Sequence, residues 1–193
     1  MSQIGHRVTT DVPIRIEQKG ERSFAVHGTP ADCTRVALAH LLPKRPDWIL
    51  SGINHGGNLG KHDFVISGTV AAVREGAFAG IKGAAFSHFM KRGLKLDWER
   101  ASQWVKAAFD TFIEEETERG EFWTVNLPHP APGEPEPKVV RCEQEEYPLL
   151  VAYEQVSDEE LVYVGNYHER PRREGNDVDV CFGGDISVSL VTV

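Results

Sequence analysis

Positive charge is scarce in this chain: 21 Lys and Arg face 29 Asp and Glu, a formal net charge of −8 over 193 residues. That balance repels nucleic-acid backbone and anionic membrane alike, so large nucleic acids and membrane surfaces are set aside as partners. Cysteine is scarcer still. Cys33, Cys142 and Cys181 are far apart, odd in number and form no Cys-x-x-Cys pair, which excludes a disulfide scaffold and points to a reducing, cytoplasmic compartment. Apolar runs are short; none approaches the roughly 20 residues of a membrane helix, and the opening residues lack a signal-peptide core. No Gly-x-Ser-x-Gly elbow is present, which makes a generic serine α/β hydrolase a distant reading. A small anion is still compatible with an acidic protein, because backbone N–H groups and a metal ion supply local positive potential without excess Lys or Arg.

What is there suffices for a core: hydrophobic residues make up 40% of the chain, enough for one domain over residues 1–193. Ser23 to Val26 reads as a short strand. Gly28-Thr29-Pro30-Ala31-Asp32 then signals a helix start, with Thr29 as N-cap, Pro30 at the first helical position and Asp32 reaching back, and the helix runs to about Leu42 before Pro43. Asp47 to Asn54 begins apolar and ends polar, the pattern of a central parallel strand. After the loop His55 to Gly60, a helix starts at Ser67-Gly68-Thr69, and Gly83 to Ser87 is the next strand. From Asp97 the spacing of Trp98, Ala101, Trp104, Val105, Ala108 and Phe112 predicts a helix with Gly120 as its stop, and Trp98 and Trp104 read as core.

Three alternations of strand and helix imply an α/β fold with a mainly parallel, three-layer sheet. Past Phe122 to Leu127, five prolines between Pro128 and Pro137 form an extended connector. Leu149 to Tyr153, Leu161 to Val164 and Ile186 to Val193 then read as hairpins or an arm. The expected division is an α/β core over 1–127 and a connector with a strand-rich C-terminal arm over 128–193.

In open parallel sheets ligands bind at the carboxyl ends of strands, where loops lead into helix N-termini. Asn54 closes such a strand. The glycines after it allow close backbone approach, and Ser67, Gly68 and Thr69 offer N–H groups and hydroxyls to an anion. Taken singly, each piece is more readily a turn or a cap; taken together, they predict an anion site at a strand end without specifying a reaction. His55 and His62 flank the loop and are candidate proton donors, His88 ends a strand, and Glu114-Glu115-Glu116 is a solvated helix face.

Three stretches resemble the survival protein SurE nucleotidases, also described as stationary-phase survival acid phosphatases. They are His27 to Cys33, Pro46 to Asn54 with Gly56 and Asn58-Leu59-Gly60, and Ser67 to Ala72 with Glu75-Gly76; weaker likeness continues through Asn126-Leu127-Pro128, Asp177-Val178-Asp179 and Gly184 to Val188. The resemblance implies a Rossmann-like fold with a C-terminal arm exchanged between protomers of a homodimer or tetramer. It also implies a divalent-metal-dependent phosphomonoesterase acting on nucleoside 5′- or 3′-monophosphates, with Mg2+ or Mn2+ as cofactor. The family's metal ligands carry over to Asn54 and to Ser2 in Ser2 to His6, where Gln3 replaces a family glycine; its phosphate contacts carry over to Asn58, Ser67, Gly68 and Thr69.

One departure outweighs these matches. The family opens on a strand ending in Asn-Asp-Asp-Gly, whose carboxylates hold the metal, and this sequence has no such segment. The chain therefore reads as a family member lacking its first strand and helix, with weak metal affinity and little or no turnover; the alternative function is a noncatalytic nucleotide- or phosphate-binding protein. Asp63, beside the loop, is the only substitute carboxylate the position allows, and as a loop aspartate it is more readily a solvated turn residue.

Overall fold

The computed structural model describes residues 4–193, so Ser2 lies outside the described residues. β1 (Arg15–Gly20) and β2 (Ser23–His27) form an antiparallel hairpin of their own. α1 (Pro30–Val36) starts as its sequence dictates. Thr29 accepts from the Asp32 N–H, Asp32 accepts back from Thr29, and Pro30 occupies the first turn. A π-helical stretch over Ala37–Leu41 carries the chain on to Leu42.

β3 (Trp48–His55) leads into α2 (Gly60–Ile66) and α3 (Gly68–Phe78), then β4 (Lys82–His88), α4 (Trp98–Asp110) and β5 (Glu121–Leu127). β6 (Val139–Arg141), the hairpin β7 (Tyr153–Ser157) with β8 (Glu160–Tyr163), α5 (Asp177–Phe182) and β9 (Ile186–Thr192) follow. The main sheet has the order β3-β4-β5-β9-β6; β3, β4 and β5 are parallel, β9 runs antiparallel to β5, and β6 is parallel to β9.

Helices cover both faces. α3 contributes Val70, Val73 and Ala77 to a cluster with Ala85, Phe122 and Val191, while α4 sets Ala101, Trp104 and Ala108 against Ala84, Phe86, Trp123 and Val125. The period-2 alternation along β4 and β5 sends neighbours to opposite layers, giving the three-layer α/β architecture expected.

Several expectations need correction. The strand ending at Asn54 is not central but lies at one end of the main sheet among the described residues, with Leu50 54% exposed; β5 is the middle strand. An apolar run does not fix a strand's position in the sheet, and here none of its residues is fully buried. The Ser23 strand stays in its own hairpin, so the parallel part rests on the crossovers β3 to β4 and β4 to β5. The helix capped by Asp97 ends at Asp110, where the Thr111 N–H and hydroxyl both turn back to the Ala108 carbonyl; Gly120 serves instead at φ +95° just before β5. Trp98 is 46% exposed rather than core, because it sits in the first turn ahead of the buried stripe.

The boundary at 127 does not separate core from arm. β6 and β9 enter the main sheet, and α5, read as strand-rich arm, is helical. Only β7 and β8 have the character of an arm, with both strands exposed throughout. Among the described residues no helix is long and apolar enough to cross a membrane.

Candidate functional site

Chain continuity builds the site. β3 delivers Asn54 to its carboxyl end, Gly56 to Leu59 form the loop, and α2 runs for two turns before Ser67 takes an extended conformation, ψ 127°, and caps α3. Ser67 Oγ accepts from the Val70 N–H at 3.2 Å and its carbonyl accepts from Ala71 at 3.1 Å. The N–H groups of Gly68 and Thr69, at the first helical positions, have no intrahelical acceptor. They sit at the positive end of the α3 dipole, which favours negative charge.

A cavity of about 270 Å3 lies here, lined by Asn54, Asn58, Ser67, Gly68 and Thr69 together with His55, Asp63, Pro30 and Tyr167. Of the metal and phosphate ligands expected from the sequence, Asn54, Asn58, Ser67, Gly68 and Thr69 line one concavity, while Ser2 lies outside the described residues. Larger grooves lie elsewhere: those of about 740 and 790 Å3 beside α1 are mainly apolar, and those of about 550 and 630 Å3 contain none of Asn54, Asn58, Ser67, Gly68 and Thr69.

Gly68 is a packing requirement as much as a ligand-facing residue. A Cβ there would come within 2.9 Å of Pro30 Cγ and 3.3 Å of Ile4 Cγ2, so α3 can start against α1 and the opening segment only with glycine. That segment is itself fixed, because Gly5 N–H donates to Ile66 O and Thr9 donates to Asp32 through both its N–H and its hydroxyl. Burial pushes the Asp32 carboxyl up, but hydrogen bonds from Thr9 and Thr29 outweigh it and hold the pKa below its ordinary value.

Asn58 is more firmly built in than a free loop amide. It is buried; its Nδ2 donates to Ser87 Oγ at 2.5 Å, its N–H donates to Asn126 Oδ1 at 2.8 Å, and Asn126 Nδ2 donates back to its carbonyl at 3.3 Å. Asn54 Nδ2 donates to the Gly56 carbonyl at 2.8 Å, which leaves its Oδ1 for other work.

Asp63 is not a spare carboxylate. Its Oδ2 accepts from the Tyr167 hydroxyl at 2.5 Å and from Arg170 Nη1 at 3.0 Å, and both Asp63 and Arg170 are buried. Arg170 Nη1 also donates to Leu59 O at 3.1 Å. Gly60, at φ +68°, makes room for this: a Cβ there would lie 2.9 Å from Arg170 Nη2 and 3.0 Å from Glu145 O. Beside it Asp177 accepts from Gly60 N–H at 2.7 Å and from Glu145 N–H at 2.8 Å; burial raises its pKa against the pull of those donors. Glu145 in turn accepts from the backbone of Glu146, Tyr147 and Arg173.

Sequence reading missed the roles of Tyr167, Arg170 and Glu145. An isolated Arg-Pro step and a run of glutamates carry no local signal that they will be buried.

The histidines separate. His55 is exposed and lines the cavity, and His62 is exposed and does not. His88 is buried on the α4 side near Trp104 and His129; burial first, then the two neighbouring histidines, depress its pKa. Glu114, Glu115 and Glu116 are exposed, with Glu115 paired to Arg141 and Glu116 to Lys82. Among the described residues no cluster of three or more His, Cys, Asp or Glu can hold a metal ion.

A three-layer α/β sheet with a polar cavity at a strand end, beside a helix N-terminus, defines a Rossmann-like fold. The chain belongs to the Survival protein SurE family, whose profile matches residues 1–148. Over 192 residues it is 46% identical to a Synechocystis sp. protein with a provisional 5′-nucleotidase name, a match covering 100% of this chain and 84% of that protein. The 5′-nucleotidase SurE of Rhodospirillum rubrum is 49% identical over 86 residues, 45% of this chain and 33% of that protein. The crystal structure of the SurE protein from Aquifex aeolicus matches with a TM-score of 0.79 at 29% identity, covering 99% of this chain and 78% of that one.

Proposed function

We propose that this chain is a phosphomonoester-binding protein of the nucleotidase class, taking nucleoside 5′- or 3′-monophosphates through the cavity at the end of β3. The observation that carries this is the convergence of Asn54, Asn58, Ser67, Gly68 and Thr69 on one small polar cavity. The Gly68 and Thr69 N–H groups and the Ser67 and Thr69 hydroxyls are donors suited to phosphoryl oxygens, and they stabilise charge that grows as the ester bond breaks. His55 is the cavity-lining group suited to protonate a leaving oxygen.

A divalent ion, Mg2+ or Mn2+, belongs to the hydrolytic form of this reading, and Asn54 would offer it one amide oxygen. The described residues do not complete such a site, because Asp63 Oδ2 is already shared by Tyr167 and Arg170. That same observation supports a second reading, a binding protein that retains the anion loop without turnover.

Titration of the chain with inorganic phosphate and AMP, followed by assay of phosphate release from AMP with Mn2+ and with chelator, tests both. Binding with chelator-sensitive release supports the nucleotidase; binding without release supports the binding protein; absence of binding removes the site. Assembly as a homodimer or tetramer belongs to the same proposal, since the hairpin β7–β8 exposes Tyr153, Val156, Leu161 and Tyr163 and two isolated strands need a partner surface for stability. A cytoplasmic setting suits its three free cysteines.

A further inference from the structure

Tyr167 reaches the cavity from far along the chain. It opens the short 3-10 turn Tyr167–Glu169, packs with Phe182 and His168 at ring-centroid distances of 6.1 Å, and lines the same cavity as Asn58 and Ser67. Its ring is held in place. The hydroxyl donates to Asp63, Arg170 fixes that carboxylate, and the Arg170 guanidinium carbon stands 5.2 Å from the ring centroid. Burial, with the Asp63 charge behind it, drives the phenol pKa far above its ordinary value, so the hydroxyl stays a donor to Asp63.

Every other described residue around the cavity is small, polar or aliphatic, apart from the exposed His55. A phosphoryl group is satisfied by N–H and O–H donors and has no use for a fixed aromatic wall; a flat nucleobase does, because stacking on a ring tolerates any base.

We infer that Tyr167 is a specificity-determining residue that meets the nucleoside of a bound nucleoside monophosphate, base face to ring, while the α3 terminus holds the phosphate. This rests on the phosphate-site reading above and goes beyond it by naming the group that tells a nucleotide from bare phosphate.

The test compares AMP and inorganic phosphate as probes on the full chain. Tyr167→Leu should weaken AMP binding roughly tenfold, the scale of one lost base stack, and leave phosphate affinity unchanged. Tyr167→Phe, which keeps the ring, should leave the AMP-to-phosphate ratio near that of the unaltered chain. Equal loss of both probes in Tyr167→Leu would make Tyr167 a scaffold residue and overturn the inference, as would no loss of either. Should Tyr167→Leu fail to fold, ring-proton resonances of Tyr167, assigned by their absence in Tyr167→Phe, decide the matter. AMP must shift them and phosphate must not. An unaltered chain that binds phosphate but prefers AMP no more than phosphate defeats this inference alone; one that binds neither defeats the phosphate site as well.

Discussion

The two sides of the cavity are built in opposite ways. The side made by β3, Ser67 and α3 comes from one continuous stretch and depends on rules that act over three or four residues: a cap, a glycine and the orphan N–H groups of a first helical turn. The facing side joins Asp63 to Tyr167 and Arg170, more than a hundred residues further on, and is held by a buried ion pair and a phenol. The local side is satisfied by near neighbours. The distant side fixes the turn at Tyr167–Arg170 to α2, and through Asp177 and Glu145 it closes the segments around residues 145 and 173 onto the same place.

Breaking the distant side should have the largest effect. Arg170→Met strands Asp63 as a buried carboxylate with only the Tyr167 hydroxyl, and a loss of about 3–5 kcal/mol is expected in urea unfolding. Adding Asp63→Asn removes the stranded charge and should recover more than half of it. A single-variant loss no larger than that of a helix cap would erase the distinction between the two sides.

Asn58→Ala sits between them. The amide spans the local loop and Ser87 on β4, so truncation leaves a buried hydroxyl without its donor and should cost about 1–3 kcal/mol while also weakening phosphate binding. A fall in affinity with an unchanged melting temperature would return Asn58 to the status of a free loop amide. At the cap of α1, Thr29→Ala should cost about 1 kcal/mol by the same unfolding measurement, because it removes the reciprocal cap and the hydroxyl's bond to Arg7 O but leaves Asp32 bonded to Thr9.

The smallest effect concerns pH. His88 is held neutral by burial, and its folded pKa lies below the unfolded value near 6.5. The unfolded chain therefore binds the proton first. Stability is full above about pH 6.5 and declines as pH falls through that value toward the folded pKa. The melting temperature should drop from pH 7 to pH 5, and His88→Gln should flatten that part of the profile; an unchanged slope would assign it elsewhere. Asp32 acts in a lower window. Its depressed pKa adds stability above the usual aspartate value, and that contribution is lost only in stronger acid.

Read alone, the sequence determined whatever depends on near neighbours. Thr29, Pro30 and Asp32 start α1, Ser67 caps α3, and the strand from Trp48 ends with Asn54 at a glycine loop, because caps and turns are satisfied within a few residues and leave their signature there. It also put Asn54, Asn58 and Ser67 to Thr69 close enough in the chain to share a cavity. Tertiary structure alone decided that β3 stands at one end of the main sheet, that β6 and β9 return to it, and that Arg170 and Tyr167 close on Asp63. Strand order and buried ion pairs are settled by which distant surfaces exclude water together, and no window of neighbouring residues carries that information.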